Sequence, residues 1–187
     1  MENEISIHGK MTILEPVKFS DSNLICSLRN NPNINKYLSS QIQLKPKDQE
    51  KWILENNKIK NYYFKIVEKT KQLAKGTISL YNFNDFEKKA EFGRYICINP
   101  IMAIESELML IRFGFMKLGL NQIYCKTDFR NKSVWKQHYQ FGFEDFGMEK
   151  TANNKTRLKV QILDKKKFIG FNYYKLDSII KKFSNFK

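Results

Sequence analysis

Histidine and cysteine are both scarce in this 187-residue chain, with two of the first and three of the second. Two histidines cannot furnish a His-rich metal centre. The cysteines, Cys26, Cys97 and Cys125, are too widely spaced for a disulfide framework or a zinc site. All three read as reduced core residues of a cytosolic protein, and Cys97 and Cys125 lie in strand-like apolar runs. No apolar stretch approaches the ~18 residues that a membrane span needs. The N-terminal MENEISIHGKM is polar and partly acidic, unlike a signal or transit peptide, so a cytoplasmic location and no membrane partner are expected. Arginine is the third scarcity, five residues against 28 lysines. Internal repeats, low-complexity tracts and linkers are also missing.

What is present is a globular composition. Apolar residues make up 42% and aromatics 14%, well above what a disordered chain carries. The length suits one domain over residues 1–187, because two would each have a thin core. The net charge is +14, of which residues 151–187 contribute +8. A basic surface attracts nucleic acid, but arginine is the better tool for bidentate phosphate and guanine contacts. The lysine excess therefore reads as solvated surface, and specific nucleic-acid binding is not expected.

Periodicity and breakers divide the chain into strands and helices. MTILEPVKF (11–19) alternates in part and predicts a strand. Ser20 and Asp21 can cap a helix through LICSLRNN, which Asn31-Pro32 ends. A second helix is predicted over 47–57, with Trp52 and Ile53 inward. NYYFKIVEK (61–69) and LAKGTISLYNF (73–83) form a hairpin, and AEFGRYICI (90–98) a third strand. Asn99-Pro100 breaks the pattern. From Glu105 to Lys117 the chain is apolar nearly all round, a buried helix ending at Leu118-Gly119. A short strand (121–128), a helix (130–140), a strand after FGFEDFGM and a long strand (155–163) follow. Periodicity does not decide the basic segment 164–187 between strand and helix. The sum is a mixed α/β (α+β) domain, a central sheet flanked by helices.

The block AEFGRYICINP, the apolar helix and LGLNQIYCKTDFRNKSVWKQHYQFGF resembles the GNAT acetyltransferase superfamily. Its closest part is the spacing from Asn131 to Gly142-Phe143. SLRNNPNINKYLSS, followed by a helix with Trp52, is similar to one branch, the pseudaminic-acid pathway N-acetyltransferases that act on nucleotide-linked amino sugars. Glu91 sits where that branch has a Glu-aromatic-Gly run. The resemblance spans about 11–163 and leaves 164–187 as a basic extension. It implies acetyl-CoA as co-substrate, no metal, a small-molecule amino-sugar nucleotide as partner, and a monomer or homodimer.

Site residues follow from the resemblance. Glu91 is expected as general base, or else it is a surface carboxylate after the Glu87-Lys88-Lys89 turn. The family's usual tyrosine, seven residues after Asn131, is replaced by His138, and Tyr139 follows it. These two are about 100° apart on a helix, so one of them faces the thioester sulfur. His138 is expected as the acid, Tyr139 is the alternative, and an ordinary half-buried helix histidine is the plain reading. Backbone N–H groups near Ile96 and Cys97 would polarise the thioester carbonyl. The pyrophosphate contact falls on Ile98, Met102, Ala103, Ile104, Glu105 and Ser106, and Asn131 is expected to contact the cofactor or cap its helix. That loop lacks the family's glycines and basic residue. Ile101 and Met102 are expected to crowd a phosphate, and Glu105 to add a negative charge beside it. Arg29, Asn30 and Asn31 would line the acceptor site. Trp52 and Trp135 read as packing residues. The other readings are a protein α-amine acceptor, as in ribosomal-protein acetyltransferases, and a non-catalytic GNAT-like binding domain.

Overall fold

Tyr62–Glu68 shows why the sheet forms. Tyr62, Phe64 and Ile66 fall on one face and pack into the main core, whereas Tyr63 on the other face joins a smaller cluster; β-branched and aromatic residues suit such a pleated surface. The computed structural model describes residues 5–38, 42–151 and 155–184. The two serines closing SLRNNPNINKYLSS and the last three residues of the basic tail lie outside them. In chain order the strands are β1 (Ile7–His8), β2 (Thr12–Pro16), β3 (Tyr62–Glu68), β4 (Leu73–Asn84), β5 (Lys89–Cys97), β6 (Gln122–Asp128), β7 (Glu144–Lys150) and β8 (Arg157–Asp164). The helices are α1 (Ser22–Asn30), α2 (Pro32–Asn35), α3 (Pro46–Asn56), α4 (Pro100–Arg112), α5 (Lys132–Gln140), α6 (Lys165–Lys167) and α7 (Tyr173–Ser184).

The strands form one sheet in the order β1-β2-β3-β4-β5-β6-β8-β7. β5 and β6 run parallel, and every other neighbouring pair is antiparallel. The parallel pair needs a crossover, which α4 supplies. Its buried residues, among them Leu108, Leu110 and Ile111, pack with Leu14, Phe64, Ile78 and Leu80 of the sheet. Leu176 and Ile180 of α7 complete that core. A second cluster of Val17, Ile25, Ile53 and Tyr63, with Trp52 against it, seats α1 and α3.

Two readings change here. Asn99-Pro100 does not separate strand from helix by a loop; it starts the helix. Asn99 Oδ1 accepts from the N–H groups of Ile101 and Met102 at 3.0 and 3.1 Å, and Pro100 takes the first helical position, where its missing N–H costs nothing. α4 therefore begins five residues before Glu105. It ends in a π-helical turn, Phe113–Lys117, and Gly119 at φ +69° reverses the chain, as a left-handed residue favours. Of the undecided segment, Asp164 ends β8 and residues 165–184 are helical, with Phe168, Leu176 and Ile180 in the same core as α4. Among the described residues no helix is long and apolar enough to cross a membrane.

Candidate active site

β5 and β6 are paired only from Lys89↔Gln122 to Phe92↔Cys125. Beyond that point the two strands part, although β5 runs on to Cys97 and β6 to Asp128. A cleft opens at the gap, lined on β5 by Glu91 to Ile96 and on β6 by Cys125 to Asp128. Such a parting at the carboxyl ends of parallel strands is where an α/β sheet offers a binding site. β5 also carries a bulge. Thr77 pairs with Ile96 and Ser79 with Gly93, so one extra residue sits between them, and Arg94 has φ +49°. Thr77 Oγ1 donates to the Arg94 carbonyl at 2.9 Å and fixes that kink. A bulge re-aims side chains and interrupts the ladder.

Glu91 is not a surface carboxylate; it is 8% exposed. Its Oε1 accepts from the Tyr81 hydroxyl at 2.9 Å and its Oε2 from Asn82 Nδ2 at 2.8 Å. Gly93 makes room for this arrangement, because a Cβ there would meet the Tyr81 oxygen at 2.7 Å. Burial, reinforced by the Glu91 charge, pushes the Tyr124 hydroxyl up to about 12 and keeps the Tyr81 hydroxyl protonated. Arg94 lies in the same wall. Its guanidinium sits over the rings of Tyr81 (4.2 Å), Trp52 (4.7 Å) and Tyr63 (5.6 Å). Sequence reasoning missed this residue. One signal was available, an arginine inside an aromatic strand of a chain that otherwise spends lysine.

The opposite wall is built on β6 and α5, with Glu107 of α4 behind it. His138 is 1% exposed and is packed against the rings of Phe92 and Phe143. Gln161 Nε2 donates to Trp135 O at 3.2 Å and to Asp145 Oδ1 at 3.3 Å, so its Oε1 faces His138 Nδ1 at 3.0 Å. That network assigns the imidazole proton to Nδ1. Nε2 then presents a lone pair to Glu107 Oε1 at 3.9 Å, and neither atom has a hydrogen-bond partner. Burial pushes Glu107 up to about 8 and His138 down to about 4. Despite their ion-pair spacing, both are uncharged near neutrality, since desolvation disfavours each charged form. Glu107 Oε2 accepts from Gln137 Nε2 at 2.8 Å, and Tyr95 donates to the Ala103 carbonyl at 2.8 Å.

The remaining expected residues divide. Ile96, Asn131 and Arg29 line the cleft with Glu91 and His138. Tyr139 does not; its hydroxyl donates to Asp145 Oδ1 at 2.8 Å, in a separate groove beside β7. Asn30 exchanges two hydrogen bonds with the Leu44 backbone, and Asn31 caps α2 by accepting from Asn33 N–H. Cys97 donates to the Asn99 carbonyl at 3.3 Å, and burial pushes its thiol up to about 11. Ile98 is exposed, Ile104 is half-buried, and the side chains of Met102, Ala103 and Ser106 are buried.

Glu105 corrects the expectation of a charge beside a phosphate. Its side chain turns inward, where Oε1 accepts from Lys10 N–H at 2.6 Å and Oε2 from Met11 N–H at 3.1 Å. Met102 is likewise turned into the core and does not crowd the helix mouth. Two N–H groups of the first turn of α4 converge on one oxygen, Asn99 Oδ1. That oxygen sits where an anion would, so the donors for a diphosphate fit once Asn99 swings aside. Among the described residues no group of His, Cys, Asp or Glu is placed to hold a metal ion.

The comparisons agree with this geometry. A search of curated proteins returned no match. Among solved structures, apo FdhC, described as a nucleotide-linked sugar GNAT, superposes with a TM-score of 0.75 at 28% identity, covering 89% of this chain and 94% of its own. Spermidine N-acetyltransferase from Vibrio cholerae, in complex with CoA and spermine, gives a TM-score of 0.76 at 19% identity, covering 87% and 100%. Ribosomal-protein-S5-alanine acetyltransferase from Vibrio fischeri gives 0.73 at 18%, covering 86% and 96%. The family described as acetyltransferase (GNAT) domain matches residues 12–144. With its parted strands, its crossover helix and that match together, this chain belongs to the GNAT family of N-acetyltransferases, enzymes that use acetyl-CoA.

Proposed function

We propose that this enzyme transfers the acetyl group of acetyl-CoA to an amino group of a nucleotide-linked amino sugar in the cytoplasm. The observation that carries the chemistry is Glu91, a carboxylate in the cleft wall held by Tyr81 and Asn82. An amine reaches the enzyme largely as ammonium and must lose a proton before it can attack a thioester. Glu91 accepts that proton, directly or through one water. β5 beyond Phe92 is unpaired with β6. Ile98 N–H bonds Lys75 O of β4 and Ile96 opposite Thr77 keeps that register, so of the two expected donors the Cys97 N–H, on the free edge, is the proposed donor to the carbonyl oxygen. Holding amine and carbonyl in line supplies the rest.

Acetyl-CoA, when bound, supplies the activated acyl group. Its diphosphate is assigned to the first-turn N–H groups of Ile101 and Met102, which lie outside the cleft lining, whereas Asn131 belongs to that lining. His138 lines the cleft and is the proposed proton donor to the departing thiolate. Because its neutral ring holds only the Nδ1 proton, it must first take a second at Nε2, where the protonated Glu107 carboxyl lies 3.9 Å away. Tyr139 is the weaker choice, with its hydroxyl committed to Asp145. Arg29 is the one acceptor-site residue of the expected three that lines the cleft. The acceptor class rests on likeness to the nucleotide-linked sugar enzyme at 28% identity. The spermidine and ribosomal-protein enzymes, at 19% and 18%, share the fold alone.

The test is a mass-spectrometric screen of nucleotide-linked amino sugars, polyamines and ribosomal N-terminal peptides with acetyl-CoA. Acetylation of a sugar nucleotide at least tenfold faster than of the others is expected. Preference for a peptide or polyamine overturns the acceptor class. If acetyl-CoA fails to raise the melting temperature, the donor assignment falls as well.

A further inference from the structure

Two arginines lie in the cleft. Arg29 and Arg94 both line it, and neither forms an ion pair among the described residues. The other charged groups of the lining are taken. Lys126 pairs with Glu149 at 2.7 Å, Asp128 with Arg130 at 2.6 Å, and Glu91 is held by Tyr81 and Asn82. Arg94 Nη1 is fully buried without a hydrogen-bond partner. A buried guanidinium left this way is costly unless a ligand completes it.

The packing of Arg94 indicates what would complete it. Three rings, Trp52, Tyr63 and Tyr81, cover the guanidinium. Ring faces attract the cation but accept no strong N–H hydrogen bonds, so the N–H edge stays available. Edge-on N–H pairs are the groups that take phosphate or carboxylate oxygens two at a time. Burial lowers the Arg94 pKa most; Tyr81, Tyr63 and Glu91 act against it, and the like charge of Arg29 has the smallest influence, in the lowering direction. The bulge at φ +49° that aims Arg94 is a strained conformation for a non-glycine residue, of the kind retained where a side chain must be placed. Composition points the same way. The chain uses lysine for 28 of its 33 basic residues, yet both unpaired cations of this wall are arginines.

We infer that Arg94 and Arg29 form an anion subsite in the acceptor half of the cleft, reading the diphosphate of the acceptor. The inference rests on the nucleotide-linked acceptor proposed above. It assigns to Arg94 a specificity role: the pair repels a polyamine and admits a nucleoside diphosphate.

The experiment uses UDP and dTDP as probes, with uridine, thymidine and inorganic pyrophosphate beside them. Binding is measured calorimetrically with and without saturating CoA, so that the diphosphate site of CoA itself is filled in one arm. At least one nucleoside diphosphate is expected to bind the CoA-loaded protein. Arg94→Met is expected to weaken it by about tenfold or more, with Arg94→Lys nearly as weak because a point charge lacks the fork. Arg29→Gln, at the half-buried rim, guards against a folding defect at position 94 and is expected to cost a few-fold. CoA affinity is expected to be the same in all four proteins.

Equal diphosphate binding in wild type and variants overturns the subsite, as does equal binding of nucleoside and nucleoside diphosphate. Loss of CoA affinity with diphosphate binding intact assigns the arginines to the donor and also overturns it. Diphosphate binding that depends on Arg94, without acetyl transfer to any amino sugar, supports the subsite and removes the proposed reaction.

Discussion

On the wall of the cleft built by β4, β5 and α1, ionisable groups are held by protein partners or stand at the rim: Glu91 accepts two hydrogen bonds, Arg94 lies under three rings, and Arg29 is at the rim. On the wall built by β6 and α5, His138 faces Glu107 of α4 behind it, both uncharged, at 1% and 0% exposure. Both walls bury polar atoms beside the same opening. The first offsets burial by surrounding those groups with protein partners, and the second removes the charge. In the proposed roles, the first wall takes up an amine's proton and attracts an anion, which polar groups held in place suit. The second borders the thioester, where a neutral surface adds no fixed charge to compete with the one developing on the substrate.

The largest effect should come from the first wall. Glu91→Gln is expected to lower kcat by about a hundredfold or more, with partial recovery at high pH where the amine deprotonates unaided. A full steady-state pH profile measures this, and an unchanged kcat would remove Glu91 from the chemistry. On the neutral wall, His138→Phe leaves Gln161 Oε1 without its partner, and is expected to cost about 1–3 kcal/mol of stability. A fall in kcat beyond what the melting shift explains would support His138 as proton donor. No fall would leave it a packing residue.

The neutral pair also predicts a pH dependence. Between about pH 6.5 and 8 the unfolded chain has released the Glu107 proton and the folded chain retains it, so stability falls as pH rises. Between about pH 4 and 6.5 the unfolded chain protonates His138 and the folded chain does not, so this group makes stability rise with pH. Glu107→Gln is expected to flatten the decline above pH 6.5 in a melting series. A decline unchanged in that variant would mean that Glu107 is ionised in the fold. The smallest effect concerns the helix cap. Asn99→Ala is expected to cost about 1 kcal/mol without ligand, yet to tighten CoA about fivefold, because nothing then has to be displaced. Thermal shifts with and without CoA separate the two signs.

Much of the sheet is legible in the sequence, because alternation and breakers are local signals. The β3–β4 hairpin and the β5 strand lie within one residue of expectation. Asn99-Pro100 misleads because the same dipeptide ends one element and caps the next. Glu105 is legible only as a charge. Whether it faces a ligand or the Lys10 and Met11 amides depends on β1 and β2 docking 94 and 95 residues away in sequence. His138 stands out by its spacing from Asn131, but its proton state depends on Gln161 and Glu107, which no spacing connects. Arg94 goes unread for the same reason, as its cage comes from α3, β3 and β4.

The four paired positions that join β5 to β6 have a consequence for motion. They are the last hydrogen bonds before the cleft, and β5–β6 is the one parallel seam of the sheet. A ligand gripping both strands beyond the seam acts as an extra rung of that ladder. Amide exchange at Ala90, Phe92, Ile123 and Cys125 should therefore slow on ligand entry more than exchange in the β7–β8 hairpin, even at Ala90 and Ile123, which do not line the cleft. The seam is thereby a reporter of occupancy, and the breathing of the sheet and the filling of the site become one equilibrium.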